Sequence, residues 1–113
     1  FMLALGVLGA RPAIAQNIQA HQMHAAIDTS SRTVRPALVG RSVLGLINTS
    51  SVVIYCTVDG TTATTSPVSG IRLATSGTVG ESVFFPRGSV PLDAVNCVAA
   101  SGEGNVLLIL EGR

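Results

Sequence analysis

Residues 51–66 read SVVIYCTVDGTTATTS, and this stretch decides the fold. Its first half is rich in β-branched and aromatic residues, which favour strands. Asp59 and Gly60 then separate this half from a threonine-rich run, and Asp-Gly between two such runs is typical of a two-residue hairpin turn. We therefore predict a strand over 51–58, a turn, and a second strand over 61–66.

The rest of the β region repeats this pattern of short apolar runs and polar turns. Five further strands are predicted at 39–48, 70–74, 81–85, 94–100 and 106–111. About seven short strands between Gly/Pro turns predict a mainly β protein, a small antiparallel β-sandwich or a jelly-roll-like barrel. Alternation puts Ile54 and Cys56 on one face of their strand and Tyr55 on the other. The last strand is apolar at both parities, which is typical of a strand covered on both sides.

The N-terminal part of the chain reads differently, so we divide it into an arm, 1–37, and a β domain, 38–113. Residues 1–15 are apolar, and they are interpreted as a docking arm or as a signal segment ending in an A-x-A pattern. This run is shorter than the ~20 residues of a membrane-spanning helix. A short helix is predicted over 12–27, from Pro12 and apolar spacings of four, followed by a polar linker at 28–36.

The composition excludes several classes of protein. The chain has 113 residues, enough for one domain, and only 12% of them are charged. All seven basic residues are arginines, they are scattered, and the net charge is +1. Nucleic-acid binders cluster their cations, so nucleic acid is not an expected partner. A surface so poor in charge is typical of a chain that packs against copies of itself or against another protein.

Two cysteines, Cys56 and Cys97, fall in predicted strands about forty residues apart. Neither has the spacing of a metal site. They are interpreted either as two small buried side chains or as a disulfide, which would require their strands to be neighbours.

No catalytic, cofactor or metal motif occurs in the sequence. The nucleophile-elbow, zinc-protease, phosphate-loop and dinucleotide patterns are all absent. His21 and His24 would share a face of the predicted helix, but no carboxylate stands near them, so we interpret them as surface or packing histidines. We expect a protein that is not an enzyme and holds no cofactor or metal.

Large apolar side chains beyond the needs of one core indicate an interface. Phe84 and Phe85 are adjacent and must point to opposite faces of a strand, so one is expected in the core and the other in a partner contact. The candidate interface residues are Phe1, Leu3, Leu5, Leu8, Ile14, Ile18, Met23, Phe84, Phe85, Leu107 and Ile109.

The β region resembles small β-domain structural proteins of tailed bacteriophage virions, of the capsid decoration, cement or fibre-base type. The residues that carry the resemblance follow in order: Asn48-Thr49-Ser50, the Val-Asp-Gly-Thr-Thr turn, 70–74 (GIRLA), 80–86 (GESVFFP), 96–102 (NCVAASG) and 110–113 (LEGR). The resemblance covers residues 38–113 and not residues 1–35.

The resemblance implies a non-enzymatic virion structural protein on the capsid surface. The expected role is a capsid decoration or cement protein, a homo-oligomer with a trimer favoured, which binds the major capsid protein through its arm and its β domain. One alternative is a head- or tail-fibre adapter of the particle. Another is a secreted β-sandwich, either a binding module or a filament subunit, with residues 1–15 as a signal segment and an oxidised Cys56–Cys97 pair.

Overall fold

The computed structural model describes residues 20–113, which form two four-stranded antiparallel sheets and no helix. The strands are β1 (Ala20–Ile27), β2 (Arg32–Arg35), β3 (Val43–Asn48), β4 (Ile54–Thr57), β5 (Ile71–Leu73), β6 (Ser82–Phe85), β7 (Val95–Ala99) and β8 (Asn105–Gly112). Sheet A has the order β1-β8-β3-β6, and sheet B has the order β2-β7-β4-β5. The mainly β, antiparallel prediction is confirmed, with eight strands where about seven were expected.

The two sheets pack around one aliphatic core. Strand alternation directs Leu46 and Ile109 of sheet A and Ile54 of sheet B into it, and all three are at most 1% exposed. Cys56 and Cys97 lie at the centre of sheet B, directly opposite each other on β4 and β7, and they form a disulfide. The pair is therefore bonded, because the register brings the two cysteines to the same position of neighbouring strands.

Six of the seven predicted strands are present, as β3 to β8. The predicted strand over 61–66 is wrong, and β4 pairs instead with β5 and β7. The Asp59 carboxylate accepts hydrogen bonds from the backbone N–H and the hydroxyl of Thr61, and Gly60 N–H donates to the carbonyl of Ala94. These bonds turn the chain away from β4 before it can pair as a hairpin.

The predicted helix over 12–27 is wrong for residues 20–27, which form β1, while residues 12–19 lie outside the described residues. β1 pairs along its whole length with β8, and this long-range pairing satisfies the backbone groups of every second residue. The expected linker at 28–36 contains β2, which pairs with β7. Residues 20–35 of the expected arm thus supply one edge strand to each sheet.

Candidate interaction surface

The outward side of sheet A, here called the outer face, is apolar. In β8, alternation directs Leu107, Ile109 and Glu111 into the core and leaves Val106, Leu108 and Leu110 on the other side. The same register places residues of β1, β3 and β6 beside them. The outer face comprises Gln22, His24, Ala26, Val43, Gly45, Ile47, Ser82, Phe84, Val106, Leu108 and Leu110.

Phe84 is the largest side chain of the outer face and is 57% exposed. Its ring lies over Gly45, which is the residue opposite it on β3. A Cβ atom built on Gly45 would come within 2.6 Å of the Phe84 ring and 3.5 Å of Leu110 Cβ. The glycine therefore lets the aromatic ring lie flat against the sheet, where it extends the apolar surface formed by β8.

The outer face carries no charged side chain among the residues that the structure describes. Gln22, His24 and Ser82 are its polar members, and they lie on the two edge strands β1 and β6. A partner that covers this face would bury apolar area without desolvating any carboxylate or guanidinium, which removes the main electrostatic cost of association.

The outward side of sheet B is different, because the chain itself covers part of it, over β7. Residues 61–63 lie against part of this side, and Asn96 Nδ2 donates to the carbonyl of Thr61 at 2.7 Å. Asn96 Oδ1 accepts from the hydroxyl of Thr33, and Ala63 N–H donates to Ser31 Oγ. Asn96 points outward from β7 and is still only 8% exposed. Sheet A is therefore the sheet with the more open face.

The structure separates the predicted interface residues into two groups. Phe84 lies on the outer face as expected, and the prediction that Phe84 and Phe85 point to opposite sides is confirmed, since Phe85 packs against the core. Leu107 and Ile109 are core residues, at most 1% exposed, so within this fold they are not interface residues. Met23 faces inward and is half-buried.

Phe1, Leu3, Leu5, Leu8, Ile14 and Ile18 lie outside the described residues. The surface residues that the sequence reasoning missed are Val106, Leu108, Leu110, Val43 and Ile47. Alternation along β8 indicates that every second side chain faces out. Both alternating sets of side chains are apolar, however, so the sequence alone does not indicate which set is exposed.

A second feature is a cleft of about 420 Å³ between the edges of β1 and β2. Met23 and Leu38 contribute its apolar wall, while Arg35, Glu111 and Arg113 contribute charge. Arg35 Nη2 lies 2.7 Å from Glu111 Oε1, so part of this charge is already paired within the protein.

The two histidines lie on opposite sides of β1, because an odd separation places residues on different faces of a strand. The helical geometry that would have brought them together is absent. Within residues 20–113 no group of three or more His, Cys, Asp or Glu side chains is arranged to hold a metal ion. The same part of the chain contains no helix that is long and apolar enough to cross a membrane.

No family model matches the chain, and neither a curated protein nor a solved structure is significantly similar to it.

Proposed function

We propose that this chain is a non-enzymatic structural protein of a phage particle, a decoration or cement protein that binds the major capsid shell. The observation that carries the proposal is the outer face of sheet A, an uncharged apolar surface with Phe84 as its largest side chain. Monomeric proteins rarely leave a continuous apolar patch of this kind open, and such patches mark protein contacts. The apolar stretch 1–15 would supply a second contact with the shell.

The Cys56–Cys97 disulfide supports a location on the surface of a particle. Disulfides persist on virion surfaces and in secreted proteins and are rare in the reducing cytosol. A decoration protein passes into an oxidising medium once particles are released, where the Cys56–Cys97 bond would remain closed.

The same bond favours a second candidate, an exported β-sandwich that acts as a binding module or filament subunit. An exported chain would form the disulfide directly after secretion, and residues 1–15 would then be its signal segment. This candidate requires no shell protein.

Mass spectrometry of particles purified from the producing culture separates these candidates. A decoration protein is expected in a number of copies comparable to that of the major shell protein, with residues 1–15 retained. A few copies in each particle would indicate a head- or tail-fibre adapter. Absence from the particles, together with a secreted form that starts at Gln16, would overturn the particle proposal in favour of the exported module.

A variant pair tests the surface itself. Leu108→Glu places a charge in the middle of the outer face, and burying an unpaired carboxylate against a partner is costly. We expect this variant to lose binding to undecorated particles in a co-sedimentation assay. Val79→Glu is the matched control, because Val79 lies in a turn and is fully exposed. Equal binding by the two variants, with both folded by circular dichroism, would contradict a role for the outer face.

A further inference from the structure

The described strands leave four sheet edges, and the edge of β1 is the longest and has the fewest features that prevent pairing with another chain. Edge strands are normally kept short, bulged, charged or followed by proline. β5 has three residues; β2 has four, with a register shift and arginines at both ends; β6 has four and is followed by Pro86. β1 has eight residues, no register shift and no charged side chain.

The register shows which backbone groups of β1 point away from sheet A. The carbonyl of Val106 accepts from Thr49 N–H, so the backbone of Val106 faces β3. Ala26 is opposite Val106 and must therefore direct its own N–H and C=O to the free edge. Arg32 Nη1 donates to this carbonyl at 2.9 Å, which agrees with that orientation.

Because antiparallel ladders alternate every two residues, Gln22 and His24 direct their backbone groups to the same edge as Ala26. Both side chains are exposed on the outer face. The middle of β1 thus presents a row of N–H and C=O groups whose natural complement is another extended strand.

We infer that this edge binds the same edge of a second copy of the chain. The two β1 strands would run antiparallel about a two-fold axis at Met23, so that Gln22 of one copy pairs with His24 of the other. Each such pair would exchange two backbone hydrogen bonds. In this register Ala26 lies opposite Ala20 of the second copy, and because the Ala26 carbonyl already accepts from Arg32 Nη1, the ladder is confined to the pairs formed by Gln22 and His24.

Three observations favour a second copy over a foreign strand. Self-pairing about Met23 puts the two Arg32 guanidinium groups, each at the Ala26 carbonyl of its own copy, at opposite ends of the contact, so like charges do not face each other. Self-pairing about a two-fold axis gives a closed dimer, the commonest symmetric assembly. The pairing is also continuous with the outer face, because it would join two sheets A into one sheet with both outer faces on the same side.

The inference concerns assembly and not the identity of the partner, so its failure leaves the proposed function standing. The resemblance to virion proteins favours a trimer, which a β1–β1 pair cannot form by itself. The dimer inferred from β1 and the trimer favoured by the resemblance therefore differ in the mass of the free oligomer.

Analytical ultracentrifugation of the 113-residue chain tests the inference, with a dimer expected at micromolar concentration. His24→Pro removes the outward N–H and keeps the pairing with β8, because proline is tolerated on the open side of an edge strand. We expect self-association about 30-fold weaker, from the loss of one backbone hydrogen bond by each copy. His24→Thr is the matched control, since it keeps the N–H and should remain dimeric. A monomeric or trimeric wild type, or a His24→Pro variant that dimerises normally, would overturn the inference.

Met23→Cys provides an independent test in case His24→Pro does not fold. Residue 23 would face residue 23 of the second copy at a non-hydrogen-bonded position, where Cα atoms lie about 4.5 Å apart. This separation allows a disulfide. We expect an intermolecular disulfide between the introduced thiols of the two copies, identified by peptide mapping without reduction. Absence of that bond in the folded, oxidised variant counts against the proposed register.

Discussion

Arg41 and Glu111 form an ion pair inside the protein, with 2.9 Å between Arg41 Nε and Glu111 Oε2 and with the Arg41 side chain completely shielded from solvent. The rest of the guanidinium is occupied as well. Nη1 donates to the carbonyls of Pro91 and Asp93, and Nη2 donates to the carbonyl of Pro36. One side chain thus ties the segments before β3 and before β7 to the last strand.

Because these bonds need the planar fork of a guanidinium, Arg41→Lys is not a conservative change. A single ammonium group cannot reach Glu111 and three carbonyls, so some of the buried acceptors would lose their donors. We expect the free energy of unfolding to fall by about 2–3 kcal/mol in urea titrations. Arg72→Lys, at an exposed position of β5, is the control and should change stability by less than about 0.5 kcal/mol. Equal effects would show that the fork geometry does not matter.

The disulfide is expected to stabilise the fold mainly by lowering the conformational entropy of the unfolded chain. Cys56 and Cys97 are 41 residues apart in sequence, and closing a loop of that size is worth about 4 kcal/mol in the chain-entropy model. The double variant Cys56→Ala/Cys97→Ala should lose about that much stability, measured by denaturant titration. The reduced wild type should behave in the same way, and a double variant as stable as the oxidised protein would contradict the prediction.

Asn48 joins the two sheets through its buried side-chain amide. Nδ2 donates to the carbonyls of Val52 at 2.7 Å and Ala74 at 3.0 Å, and Oδ1 accepts from Ser50 N–H at 2.9 Å. Asn48→Leu keeps the approximate volume and leaves these groups without partners, so we expect a loss of about 2–3 kcal/mol in thermal or urea unfolding. Asn105→Leu, at a half-buried site, should cost less. The reverse order would refute the role given to Asn48.

Protonation of Asp59 should weaken the turn after β4. The hydroxyl of Thr61 and then its backbone N–H donate to the carboxylate, and together they hold the pKa of Asp59 below its ordinary value. A lowered pKa means that the stabilising bonds are present above the unfolded-state pKa, about 4, and are lost as the pH falls through the folded-state pKa. Thr61→Val should raise the pKa of Asp59 in an NMR titration, and an unchanged value would contradict this assignment.

Local sequence signals were sufficient to predict most strands of the β region, because the alternation in β4 and β7 and the turn residues agree with the strand pairing in the structure. They failed where a signal fits two structures. Met23 and Ile27 are four residues apart, a spacing that fits one face of a helix and equally one face of a strand. Only the pairing of β1 with β8, near the other end of the chain, decides between the two.

The Asp-Gly signal failed for a related reason. Asp59 can close a turn on Thr61 without forming a hairpin, and the long-range bond from Gly60 to Ala94 then determines the direction of the chain. The outer face was only half predictable. The sequence singled out Phe84 and the doubly apolar β8, but which parity of β8 faces solvent depends on how sheet A packs against sheet B.

The loop that covers part of sheet B gives the two sides of the molecule opposite surface chemistry. If sheet A is the side that attaches, residues 61–66 become the outermost layer of whatever the protein coats. That layer is rich in hydroxyl groups and carries no charge, with Thr61, Thr62 and Thr65 exposed. An object coated through sheet A would therefore present mainly hydroxyl groups from this loop, with Val68 of the same loop and Arg72 of β5 also exposed.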